Sequence, residues 1–222
     1  MLANDSILVT PGTGAAVATH MAAAKEHQVF LQADESGHIA GTVPTYRMFV
    51  PPSAAGASKI YFDLFNATAS GKTIKLLSCV PVVSGAVAVT GVVAVDLYLT
   101  RTSAVGTGGV AATGDAVGAA VATLTAVTIA KHNPADPVLP AGITARTVPT
   151  GGATAGQVLA MCSLSTEETN AGSYTSSLID LATRSPSPSA PLVIPENTGV
   201  RVLQGTVASV GTVGFDVTFE VA

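Results

Sequence analysis

The chain has 222 residues, of which 48% are apolar and only 11% charged, with a net charge of −4. That apolar share argues against a disordered chain, which is poor in apolar residues and rich in charge. The ten basic residues form no cluster, which argues against nucleic acid as a partner, since phosphate binding needs grouped cations.

A typical soluble domain carries about 25% charged residues. Charge keeps free monomers soluble and apart, so a surface this lightly ionised is expected to be covered in part by other chains. Aromatic residues are 5% with no tryptophan, which weakens a stacking groove for sugars or bases. The length suits one β-sandwich or barrel of roughly 200–250 residues.

Residues 1–45 read as an N-terminal arm and 46–222 as the body. The start, MLANDSILVTPG, has no basic stretch and a four-residue apolar run, so no secretory signal is expected. AAVATHMAAAKEH (15–27) suits a short helix on alanine propensity. HQVFLQA (27–33) reads as a strand and DESGH (34–38) as a turn.

From Lys59 the period of two takes over. In KIYFDLFN, Ile60, Phe62 and Leu64 share one face while Tyr61, Asp63 and Phe65 share the other, the pattern of a strand covered on both sides. KTIKLLS (72–78) follows as a second strand, and NATASG between them reads as a hairpin turn. Gly71-Lys72-Thr73 imitates the end of a phosphate-binding loop. The glycine needed five positions earlier is Asn66, and no helix pattern follows, so the hairpin is preferred.

LLSCVPVVSGAVAVTGVVAV (76–95) carries no charge. Pro81, Gly85 and Gly91 divide its valine runs, which fits two buried strands rather than a membrane span. GVVAVDLYLTR (91–101) is a strong strand with Val93, Val95, Leu97 and Leu99 on one face. Residues 102–120 form a long glycine-rich excursion, TLTAVTIA (123–130) returns to strand, and KHNPADPVLPAG (131–142) is a loop. GQVLAMCSL (156–164) fits either strand or helix, and 185–191 is a Pro/Ser linker. GVRVLQGTVAS and GTVGFDVTFEVA close the chain as two strands, with Val213, Phe215, Val217, Phe219 and Val221 facing inward. The expected fold class is all-β, an antiparallel sandwich or jelly-roll-like barrel with an extended N-terminal arm.

Candidate chemistry is sparse. His20, His27 and His38 lie near Asp34 and Glu35, but no zinc spacing matches, and no metal or cofactor is expected. The adjacent acids Asp34-Glu35 and Glu167-Glu168 sit in polar, turn-like surroundings and read as solvated loops. No nucleophile elbow occurs, and Cys79 and Cys162 read as buried thiols whose pairing stays open. Asn4-Asp5-Ser6 and Asn66-Ala67-Thr68 match the glycosylation pattern by chance. No catalytic residue is assigned.

The phrases DSILVTPGTGAAVATH, KEHQVFLQADESGHIAG, YFDLFNATASGKTIKLL, LYLTRTSAVGTGG and ENTGVRVLQGTVASVGTVGFDVTFEVA give the chain a style that resembles virion structural proteins of tailed bacteriophages. The resemblance implies a β-sandwich body, an arm, many symmetric copies and no enzymatic activity. It points to a capsid decoration protein on the virion surface, made in the host cytoplasm. Its partners would be the major capsid protein and copies of itself, a trimer suiting local three-fold positions, with no membrane. The alternative is a tail, collar or fibre-associated protein that binds a host receptor. An enzyme such as a depolymerase is the third reading. The expected contacts are Ile7, Leu8, Val9, Val29, Phe30 and Leu31 of the arm, and Gly106, Gly108 and Gly109 of the excursion.

Overall fold

The computed structural model describes residues 16–22, 25–31, 43–84, 93–121, 125–150, 155–166, 179–183 and 191–222. The chain divides into two compact units, Met1–Val43 and Pro44–Ala222.

In the first unit, β1 (Ala16–Ala22) pairs antiparallel with β2 (Lys25–Leu31). The helix expected over 15–27 is therefore not formed. Alanine's helix propensity is a weak preference, and here it loses to pairing between strands that carry Val17 and Thr19 on one side and Val29 and Phe30 on the other.

Among its described residues the second unit is β throughout, apart from one short 3-10 turn at Asp115–Val117. Its strands are β3 (Thr45–Ala54), β4 (Ile60–Asn66), β5 (Ile74–Ser84), β6 (Val93–Thr102), β7 (Val110–Ala111), β8 (Thr128–Lys131), β9 (Ile143–Thr147), β10 (Ala155–Thr166), β11 (Leu192–Ile194), β12 (Thr198–Gln204) and β13 (Thr212–Val221). They form a front sheet, β10-β6-β12-β4-β9-β7, and a back sheet, β11-β5-β13-β3-β8. Every ladder is antiparallel.

Among the described residues no two consecutive strands of this unit pair with each other. The chain crosses from sheet to sheet instead, at β3–β4, β4–β5, β5–β6, β10–β11, β11–β12 and β12–β13. Setting aside the excursion between β6 and β10 leaves two four-stranded layers, β3-β13-β5-β11 and β4-β12-β6-β10. That interleaved order is the jelly roll, two Greek keys folded face to face. The glycine-rich excursion extends both layers on one flank. It adds β8 beside β3, and β9 with the two-residue β7 beside β4.

Two sequence expectations change here. The stretch between β4 and β5 is not a hairpin turn but an arch between sheets. The last two strands, β12 and β13, likewise lie in opposite layers. Stacked sheets lie about 10 Å apart, a gap that the residues between β4 and β5 can span. GQVLAMCSL resolves as strand. TLTAVTIA becomes strand only from Thr128 onward.

The core lies between the layers. The inward set expected of β13 is buried, as are Val95, Leu97 and Leu99 of β6. Phe215 sits at the centre, with the rings of Tyr61 and Phe62 each 5.4 Å away between centroids. Tyr46 stacks on Phe219 at 5.6 Å. The two buried tyrosine hydroxyls find acceptors: Tyr61 donates to Gln204 Oε1 at 2.8 Å and Tyr46 to the Pro137 carbonyl at 2.9 Å. Among the described residues no helix is long and apolar enough to cross a membrane.

Candidate functional site

The outer face of the front sheet holds the most unusual polar group, Asp63 in the middle of β4. Its strand is covered on both sides, as the sequence pattern suggested, and Asp63 is only 2% exposed. In the ladders it stands opposite Arg146 of β9 and Arg201 of β12. The cover is the excursion after β6. Gly106 N–H donates to Asp63 Oδ2 at 2.8 Å, Thr150 N–H to the Thr107 carbonyl at 2.9 Å, and Arg146 Nη1 to the Gly108 carbonyl at 3.2 Å.

Glycine is required at two points of this cover. A Cβ on Gly106 would sit 2.8 Å from Asp63 Oδ2 and 2.9 Å from Pro149. Gly109 has φ +64° and a Cβ there would come within 2.0 Å of the Thr147 carbonyl oxygen. Asp63 Oδ1 has no hydrogen-bond partner among the described residues. Burial pushes the Asp63 carboxyl up to about 6, against the opposing pull of the Gly106 N–H and the two arginines. A general acid must reach its substrate, and this one is sealed beneath its own loop. The arrangement acts as a latch: a buried acceptor holds the loop down on the sheet.

The same outer face carries an apolar row. Met161 of β10 stands opposite Tyr98 of β6, Tyr98 opposite Leu203 of β12, and Leu203 opposite Ile60 of β4. Met161 is 49% exposed and its neighbour Val158 52%. At the flank between β10 and β11 lies a cavity of about 130 Å3, lined by Leu99, Val158, Leu159, Leu181 and Leu192 among others. Small-molecule sites run to roughly 300–1,000 Å3, so this one is too small to hold such a ligand.

Of the expected contact residues, Gly106, Gly108 and Gly109 belong to the latch loop; Gly106 is buried, and Gly108 and Gly109 are exposed. Val29, Phe30 and Leu31 lie in β2 opposite Ala18, Val17 and Ala16. Ile7, Leu8 and Val9 lie outside the described residues, as do Asp34, Glu35, His38, Glu167 and Glu168. The hairpin register places His20 opposite His27. Among the described residues no group of three metal-binding side chains occurs.

Asn66 is fully buried with its amide engaged within the chain, so it is no glycan acceptor. The Gly71 N–H, which a phosphate would need, donates to Glu196 Oε1. Sequence reasoning assigned no role to Asp63, although its place on a doubly covered strand was a signal that it would be buried.

The chain matches no protein-family model, no curated protein and no solved structure.

Both cysteines are buried thiols rather than a disulfide. Burial, with Asp180 and Cys162 nearby, raises Cys79 well above its ordinary value. Native protein at pH 8 is expected to leave a thiol reagent unconsumed, and denatured protein to consume two equivalents. Rapid labelling of the native protein would show that the layers open at β5 or β10.

Proposed function

We propose that the chain is a structural protein of an assembled particle, a capsid decoration protein of the tailed-phage type. In this reading it binds the outside of the shell as a symmetric oligomer and stabilises it. The observation that carries the reading is the surface. Large apolar side chains stand exposed on a body with few charges, among them Val158, Met161, Val193, Val207 and Val210. Exposed apolar surface of this kind is suited to contact with other chains. The style of the sequence supports the virion assignment, and the jelly roll is an architecture that shell proteins use, though other proteins use it too.

The glycine loop and its buried carboxylate fit the same reading as structural parts. They hold an outer surface in one shape, which rigid docking between copies requires.

The test is to add the protein to undecorated tailed-phage capsids and follow particle melting. Binding with a raised melting temperature is expected. Absence of both overturns the reading, and binding to host cells in place of capsids would move the chain to the tail.

A further inference from the structure

Asp63 lies on the outer face of the front sheet, yet it is buried. The cover is residues 103–109, the stretch that leaves β6 and enters β7. That stretch is lightly attached. Only Gly106 in it is buried, and Val105, its one large apolar side chain, is 40% exposed. What ties it down is polar: Gly106 N–H on Asp63 Oδ2, Thr150 N–H on the Thr107 carbonyl, and Arg146 Nη1 on the Gly108 carbonyl. A segment that buries so little apolar surface can open at low cost while the layers beneath stay packed.

The charges around Asp63 are few. Arg146 faces it from β9 and Arg201 from β12, and arginine keeps its charge across the working range of pH. Residues 103–109 and the turn at 148–150 carry no titratable side chain. Among the described residues gathered here, Asp63 is therefore the group that changes charge. Its Oδ2 accepts from Gly106, while Oδ1 has no hydrogen-bond partner among the described residues. An ionised carboxylate so placed is short of water on one oxygen, and lifting the loop is the most direct way to supply it.

We infer that residues 103–109 form a lid over Asp63 that lifts in local excursions, with both sheets intact, and lifts more often as pH rises. Burial is the leading influence on the carboxyl and pushes it up to about 6 from the ordinary 3.8, against the Gly106 N–H and the two arginines. The closed lid thus keeps the proton to a pH about two units higher than an open one does. Below pH 3.8 both forms are protonated and above about 6 both are ionised, so the change falls between. The opening constant is expected to grow about fiftyfold from pH 4 to pH 7.

Hydrogen exchange on the full chain, followed amide by amide, tests this. The reporters are the Gly106 N–H on Asp63 and the Thr150 N–H on the Thr107 carbonyl. With the intrinsic effect of pH on exchange removed, both are expected to lose protection together, about fiftyfold from pH 4 to pH 7. Global unfolding shifts over the same window, and the response to denaturant separates the two. Sub-denaturing urea is expected to leave the reporters unchanged while it speeds amides at the centre of β13, which open only with the whole unit. Asp63→Asn keeps the acceptor and removes the titration, so its reporters are expected to hold one level of protection at every pH.

Gly106 protection that is flat with pH in the native protein overturns the lid. Protection that grows with pH does so too, because the arginines would then outweigh burial. A Gly106 amide that exchanges only in step with β13 means that the loop opens with the sheets and not alone, which also overturns it. So does an Asp63→Asn protein with the native pH dependence, since the titrating group would then lie elsewhere.

Discussion

Exchanging Asp63 for asparagine is expected to stabilise the protein at neutral pH and to leave its stability near pH 4 little changed. Asparagine keeps an oxygen for the Gly106 N–H and removes the buried charge. In the native protein the Asp63 carboxyl sits at about 6, against an ordinary value of 3.8, with burial as the leading cause. The folded state therefore holds this proton more tightly than the unfolded state. The stability tied to that proton is fully present below pH 3.8 and is lost as pH rises through about 6. The loss is on the order of 3 kcal/mol.

Other carboxylates titrate in both proteins, so the difference between variant and wild type isolates this one. Urea midpoints measured from pH 4 to pH 8 should show the advantage of Asp63→Asn growing across that window and levelling off above it. If Arg146 and Arg201 outweighed burial, the sign would reverse and the variant would be the weaker protein at pH 7. That result would also remove the latch as described, because the loop would then be held by ion pairs.

How much of this was legible beforehand divides along physical lines. Alternation names the face of a strand, and it did so for β13, β6 and β4 from Phe62 onward, because burial on one or both sides leaves a period of two in the residues themselves. At the start of β4 a register shift turns Tyr61 into the core beside Phe62 and Ile60 outward, against the expected pattern. It does not name the partner. KIYFDLFN and KTIKLLS are adjacent in sequence with a turn-like stretch between them, and a hairpin is the local solution. The chain takes the non-local one, and β4 meets β12 and β9 while β5 meets β13 and β11.

β9 left little signal. It has five residues and one of them is Arg146, half-buried, whose guanidinium donates to the latch loop. β11 has three residues and adjoins the Pro/Ser segment. The glycines after β6 were visible as a run, but what they approach was not. Gly106 matters because Asp63 and Pro149 lie under it, and those residues are brought there by β4 and by the turn after β9.

The arch between β4 and β5 gives the second large effect. Asn66 ends β4 with its side chain fully buried. Its Nδ2 donates to the Lys72 carbonyl at 2.8 Å and to the Ile194 carbonyl at 3.2 Å, and its Oδ1 accepts from Ser70 Oγ at 2.6 Å. One amide thus ties the last residue of a front-sheet strand to the entry of β5 and to the end of β11 in the back sheet. Around it, Glu196 accepts from the Gly71 N–H, and Thr73 exchanges two backbone hydrogen bonds of 2.9 Å with Ala222.

Asn66→Ala is expected to cost about 3 kcal/mol, since buried carbonyls that lose their donor cost about 1–3 kcal/mol each. Asn66→Asp keeps the shape but replaces a donor with a carboxylate oxygen facing two carbonyl oxygens. At pH 7 it should be the more damaging of the two. The gap should close as pH falls, because a protonated carboxyl regains one donor and sheds the buried charge.

Urea midpoints of both variants at pH 7 and pH 4 check the ordering. Hydrogen exchange should show protection lost first at β11 and the start of β5, where the amide's two acceptors lie. An Asn66→Asp protein as stable as wild type at pH 7 would mean that the donor is not what closes the arch. The arch would then be held by the Glu196–Gly71 and Thr73–Ala222 hydrogen bonds and by core packing.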